Sequence, residues 1–141
     1  MEKIILYTDG GARGNPGPAG AGAVLVDERG ATLKTARRFL GETTNNEAEY
    51  MAVWLGLETL KKTFSKEKLK QLTLELRVDS ELVGKQLLGR YQIKEAKLVP
   101  WFMKIWNARV ADFPRFTVTC IRREANAAAD RLANQAMDEG K

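Results

Sequence analysis

An apolar run, Ile4-Ile5-Leu6-Tyr7, closes on Thr8-Asp9, and a stretch crowded with glycine and proline, Gly10 to Gly22, separates it from a second apolar run, Ala23-Val24-Leu25-Val26. No other feature limits the chain so strongly. Aspartate is disfavoured inside strands, so one standing where a buried strand meets a glycine turn needs a reason. Asp opens turns readily, which is the ordinary account. The alternative is a carboxylate held at the rim of a sheet, with bare backbone beside it so that a phosphate ester comes close. The rest of the chain decides between them.

Residues 3–9, 20–28 and 31–41 read as three strands joined by the glycine loop and the Arg29-Gly30 turn, an antiparallel meander. Polar residues Thr43-Thr44-Asn45-Asn46 then precede a long helical pattern, Glu47 to Leu60, with Asn45 or Asn46 as its expected N-cap. Its early glutamates and the later Lys61 and Lys62 suit the helix dipole. Lys66 to Lys70 reads as a basic loop. Leu72 to Val78 alternates, which predicts a strand with one buried face, and it ends on Asp79. Ser80 caps a short helix to about Leu88. Lys97–Val110 reads as a second long helix, Phe116–Ile121 as the last strand and Ala125–Met137 as the last helix. The three tryptophans, Trp54, Trp101 and Trp106, read as helix-packing residues. A meander followed by alternating helices and strands predicts an α/β domain with a mixed sheet, and 141 residues predict one domain over 1–141.

The acids decide what Asp9 is for. Asp9 and Asp79 each close an apolar strand, and in open α/β sheets sites lie beyond the carboxyl ends of parallel strands. If the two strands are parallel neighbours, the carboxylates stand side by side, an arrangement that needs a cation between them or a proton on one. Glu47 and Glu49 are two positions apart and so face opposite sides of their helix. Glu49 shares a stripe with Ala52, Val53, Gly56 and Leu60, whose small members allow a close approach to a sheet. Glu49 is therefore the one aimed at the Asp pair, and Glu47 is a first-turn charge. Asp130 borders the apolar face of the last helix. Its ordinary reading is a boundary acid paired with Arg123 or Arg131.

The chain has no histidine and one cysteine. This excludes an internal disulfide, a Ser-His-Asp triad and histidine metal ligands. Cys120 alternates with Phe116 and Val118 and reads as a core residue in a reducing compartment. Hard oxygen ligands alone favour Mg²⁺, with Mn²⁺ as a substitute. A cluster of four carboxylates can hold two such ions about 4 Å apart and bracket a phosphodiester. The net charge of +5 is a mild pointer to a polyanionic partner. No apolar run approaches the ~20 residues of a membrane helix, and no secretion signal is evident. A cytoplasmic monomer is expected.

Thr8-Asp9-Gly10-Gly11 with Gly14-Asn15-Pro16-Gly17, then Thr43-Thr44-Asn45-Asn46-Glu47-Ala48-Glu49, then Val78-Asp79-Ser80, then Asn126 with Ala129-Asp130-Arg131-Leu132-Ala133 together resemble ribonuclease H of type 1. The motifs cover nearly the whole chain in the family's order. The resemblance implies a five-stranded mixed sheet with its first three strands antiparallel. It also implies endonucleolytic hydrolysis of the RNA strand of RNA–DNA hybrids, leaving 5′-phosphate and 3′-hydroxyl ends. By position Asp9, Glu49, Asp79 and Asp130 match the family's catalytic, metal-binding carboxylates. Asn15, Asn45 and Asn46 match residues that contact the hybrid, where they could read the 2′-hydroxyls that tell RNA from DNA. The Gly10-Gly11 backbone could approach the same strand. Thr44 matches a holder of a DNA-strand phosphate.

Three departures from the pattern stand out. The loop Arg122 to Asn126 is short and lacks the histidine many members carry; Arg123 or Glu124 stands nearby. The connection Leu88 to Lys94 is too short for a basic protrusion, as in the shorter form of the family. Glu81 occupies a substrate-contacting position that is often Gln. A non-catalytic hybrid-binding module and a resolvase-type DNA nuclease are the competing readings. The complete acid set opposes the first, and the asparagines oppose the second.

Overall fold

A computed structural model describes residues 2–140. Five strands, β1 (Lys3–Ala12), β2 (Gly17–Asp27), β3 (Thr32–Thr43), β4 (Thr73–Val78) and β5 (Phe116–Cys120), form one sheet in the order β3-β2-β1-β4-β5. β1, β2 and β3 pair antiparallel, whereas β4 and β5 run parallel to β1. The mixed sheet expected from the sequence is therefore present. The helices are α1 (Asn45–Thr63), α2 (Lys66–Gln71), α3 (Glu81–Leu87), α4 (Val99–Ala111) and α5 (Ala127–Glu139).

The first two strands run farther than their composition indicates. Gly10, Gly11 and Ala12 pair with Ala21, Gly20 and Ala19, so the loop shrinks to Arg13–Pro16. Glycine and alanine are poor strand formers by propensity, but their backbone groups complete the ladder as well as any others. The 66–70 stretch is not a loop. Ser65 caps α2 by accepting from the Lys68 N–H, and buried Leu69 anchors it to the core.

Side-chain alternation assigns the two faces. Ile4 and Leu6 of β1, with Leu74, Leu76 and Val78 of β4, face the core shared by α1, α3 and α4, which contribute Tyr50, Val53, Leu57, Val83 and Ile105, with Leu98 just before α4. Burial of this apolar surface is the main stabilising term. Small residues let α1 lie close: a Cβ on Gly56 would stand 2.7 Å from the Leu6 methyls. On the other face α5 packs against β2, where a Cβ on Gly22 would meet the Ala129 carbonyl oxygen at 2.3 Å. Over β4 the same face carries a polar cluster instead. Glu75 accepts from Arg77 (2.9 Å), Lys3 (2.8 Å) and the Thr119 hydroxyl (2.8 Å), and Arg77 also donates to the Tyr7 hydroxyl.

Two packing expectations fail. Cys120 is exposed rather than a core residue, because it is the last residue of β5, which lies at the edge of the sheet. Trp54 and Trp101 pack against the core as expected, but Trp106 is 47% exposed on the outer side of α4.

Candidate active site

Strand register brings the two aspartates together. β1 and β4 are parallel with Thr8 opposite Val78, so Asp9 and Asp79 are the next residues on both strands, at one edge of the sheet. Glu49 arrives from the first turns of α1. It reaches the pair because Gly10 lacks a side chain: a Cβ there would lie 2.1 Å from the Ala48 carbonyl oxygen. One oxygen from each of Asp9, Glu49 and Asp79 lies within 4.8 Å of the others. Glu47 is held elsewhere, accepting from the Thr43 hydroxyl and from the Trp101 indole at 3.2 Å.

Asp130 comes from α5 on the opposite face. It lines the same cavity of about 610 Å³ and stands near enough to Asp9 to raise its pKa. Among the described residues its side chain bonds to Asn134 at 3.2 Å rather than to Arg123 or Arg131. The ordinary reading of a paired boundary acid therefore does not hold.

The cluster is electrostatically loaded. Burial, then the negative charge of Asp79, raises the Asp9 carboxyl to about 7. Burial, then the neighbouring Asp9, raises Glu49 well above the usual carboxylate range, although the Gly10 N–H works against this by donating to it. Among the described residues, Glu49 Oε2 is buried without a hydrogen-bond partner. A buried acceptor with no donor, beside two further carboxylates and no nitrogen or sulfur ligand, suits a hard divalent cation. Such an ion would do the work that protons must otherwise do.

Asn126 is a functional candidate to which the sequence assigned no role beyond its place in a motif. Its buried Nδ2 donates to Asp79 Oδ2 and to the Thr8 carbonyl, both at 2.8 Å. It thereby ties the segment leading into α5 to the two strands that carry the aspartates. Arg13 likewise has no signal in the sequence. It pairs with Asp138 at 2.7 Å and donates to Asn134, which links the β1–β2 loop to the Asp130 helix. These contacts join segments far apart in the chain, and no local pattern signals them.

The expected substrate residues divide. Gly10, Gly11, Asn45, Asn46 and Glu81 line the cavity, as does Arg123. Gly10 is glycine because α1 presses on it, whereas Gly11 is open, with only Asn45 Oδ1 at 3.9 Å from a notional Cβ. Asn15 sits just outside and accepts from the Asn45 N–H at 3.0 Å. Thr44, not Asn45 or Asn46, is the N-cap of α1, its hydroxyl accepting from the Glu47 N–H. One position earlier suffices because the helix already begins at Asn45. Glu81 is not a free charge, since Lys85 sits 2.6 Å from it in an i,i+4 pair.

Residues 7–136 match the family model described as reverse transcriptase-like. The chain is 33% identical to the ribonuclease H of Chromohalobacter salexigens, covering 99% of this chain and 87% of that protein. It is 36% identical to a bifunctional protein of Mycobacterium tuberculosis, but it spans only about a third of the length of that protein and of its mycobacterial counterparts. Among solved structures, LC11-RNase H1, isolated from compost by a metagenomic approach, superposes with a TM-score of 0.93 at 48% identity, covering 99% of this chain and 98% of that one. LC11-RNase H1 in complex with an RNA/DNA hybrid superposes with a TM-score of 0.92 at 48% identity, covering 96% of this chain and 97% of that one.

Proposed function

This chain belongs to the type 1 ribonuclease H family, and on that premise we propose that it is an endonuclease hydrolysing the RNA strand of RNA–DNA hybrids, with 5′-phosphate and 3′-hydroxyl products. The observation that carries the reading is the meeting of Asp9, Glu49 and Asp79 within 4.8 Å at the mouth of a polar cavity. A protein that merely bound a polyanion would gain nothing from burying acids there, since each repels phosphate.

Asp9, Glu49, Asp79 and Asp130 would hold Mg²⁺, for which Mn²⁺ is the expected substitute. When bound, a pair of such ions supplies activation of the attacking water and charge stabilisation of the leaving oxygen. The chain's own groups do the rest. Asn126 fixes the rotamer of Asp79 through its 2.8 Å bond. The open backbone at Gly11 admits the RNA strand, and Asn15, Asn45 and Asn46 contact it beside the scissile position. Arg123, on the cavity wall, would meet phosphate where many members carry a histidine. Residues 1–141 act as one catalytic domain. Among the described residues no helix is long and apolar enough to cross a membrane.

The test is cleavage of an end-labelled hybrid beside all-RNA and all-DNA duplexes of the same sequence, with Mg²⁺ or Mn²⁺. Cutting of the RNA strand of the hybrid alone, abolished by Asp9→Asn with folding intact, is expected. An Asp9→Asn protein that cuts like the parent would overturn the site assignment. Cutting of the all-DNA duplex would move the reading to a resolvase-type nuclease.

A further inference from the structure

Two adjacent asparagines line the cavity, and their amides are tied down from opposite ends. Asn45 Oδ1 accepts from the Ala12 N–H at 2.8 Å, so its NH₂ is left as the group a ligand can meet. Asn46 is the reverse: its Nδ2 donates to Glu95 Oε1 at 2.8 Å, which leaves its carbonyl oxygen. An unconstrained carboxamide offers either end by rotating half a turn, and so discriminates poorly between donors and acceptors. Here each is fixed. The Asn45 amide is fixed by backbone of β1, and the Asn46 amide by a carboxylate that can only accept.

We propose that Glu95 is a positioning residue that sets specificity. By holding Asn46 through its nitrogen, it leaves the Asn45–Asn46 pair with one free donor and one free acceptor lining the same cavity, a pattern matched by a group that both donates and accepts. The ribose 2′-hydroxyl is such a group, deoxyribose has none, and a 2′-fluorine cannot donate. The identity of the ligand rests on the proposed hybrid substrate; the fixed polarity of the two amides rests on the geometry alone. Glu95 is well placed for the task. It precedes the short 3₁₀ turn Ala96–Leu98, which buried Leu98 anchors to the core, so its backbone is held while its side chain reaches the start of α1. Burial does not require this carboxylate, which lies on the surface, and among the described residues its one hydrogen bond is to Asn46.

The test reads binding and cleavage separately. Affinity for an RNA–DNA hybrid and for the same hybrid with 2′-fluoro groups throughout its RNA strand is measured by fluorescence anisotropy in EDTA. The native protein is expected to prefer the hydroxyl form by about tenfold, the scale of one or two lost hydrogen bonds. Glu95→Ala frees the Asn46 amide to turn its NH₂ outward, and the preference should fall to about twofold. Glu95→Gln, which can still accept from Asn46 Nδ2, should restore most of it. In an Asn46→Ala background, Glu95→Ala should change nothing further. Glu95→Ala keeping the native preference, or adding its effect in full to that of Asn46→Ala, would overturn the inference. Cleavage of the hydroxyl hybrid in Mg²⁺ tests the proposed function on its own. A protein that discriminates in EDTA but never cuts would retain the role of Glu95 and lose the nuclease.

Discussion

The amide nitrogen of Asn126 lies 2.8 Å from Asp79 Oδ2. A residue leading into the last helix thus orients a carboxylate that stands at the end of the fourth strand, and the same nitrogen anchors to the Thr8 carbonyl one residue before Asp9. The two aspartates are linked through one side chain. Removing it should loosen the site more than the fold. Asn126→Ala is expected to weaken divalent-cation binding by about ten- to a hundredfold, the usual range for partners of metal ligands. Isothermal titration calorimetry with Mn²⁺ measures this directly, and unchanged affinity would show that Asp79 holds its place unaided.

The protonation of Asp9 sets a pH dependence for the cation-free protein. Its folded-state pKa, about 7, lies above the 3.8 of an ordinary Asp. The folded state therefore binds the proton more tightly than the unfolded state. The associated stability is fully present below about 4 and is lost as pH rises through about 7. Glu49 shifts in the same direction. In EDTA the melting temperature should fall between pH 5 and pH 8 beyond what other groups cause. Asp9→Asn should flatten that fall and raise the melting temperature at pH 8 by about 5 °C. Mg²⁺ at pH 8 should stabilise the parent more than Asp9→Asn, which has lost one of the four carboxylates. Scanning calorimetry at the two pH values decides it.

Glu75 predicts the opposite slope. Arg77, then Lys3 and Thr119, hold its carboxyl down to about 2, against 4.5 for an ordinary Glu. Its contribution is fully present above about 4.5 and disappears as pH falls toward 2. Glu75→Gln should cost on the order of 2 kcal/mol at pH 7 and make urea stability flatter between pH 5 and pH 2.5. The cluster is remote from the cavity, so hybrid cleavage at pH 8 should stay near the parental rate. A large loss of activity would show that it supports the site.

Gly10 and Gly11 should part company on substitution. A methyl at Gly10 collides with the α1 backbone at Ala48, whereas one at Gly11 meets nothing nearer than Asn45 Oδ1 at 3.9 Å. Gly10→Ala is expected to destabilise by about 2 kcal/mol or more and to displace Glu49 with the helix, reducing activity beyond the stability loss. Gly11→Ala should leave urea stability within about 1 kcal/mol of the parent. It should raise KM for the hybrid instead. Equal stabilities for the two variants would be incompatible with the close approach of α1.

Local patterning fixed which residues could meet. The end of an apolar run marked Asp9 and the end of an alternating one marked Asp79, and the stripe Glu49, Ala52, Val53, Gly56 turned Glu49, rather than Glu47, to the sheet. Both follow from backbone geometry that every residue of an element shares, so a short window of sequence carries them. The same reasoning ends β1 at Asp9, three residues early, and reads α2 as a loop. In each case long-range pairing and one buried leucine overrode weak local propensity.

What remained was decided by contacts between distant segments. The three-carboxylate cluster required the parallel register of β1 with β4. The freedom of Asp130 from an arginine partner depended on how α5 lies on β2, where glycines at 20 and 22 admit it. The polarity of Asn45 and Asn46 depended on Ala12 and Glu95, which lie 33 and 49 residues away. A carboxamide looks the same in sequence whichever end faces a ligand. Only the partner that occupies the other end chooses, and that partner is brought by the fold.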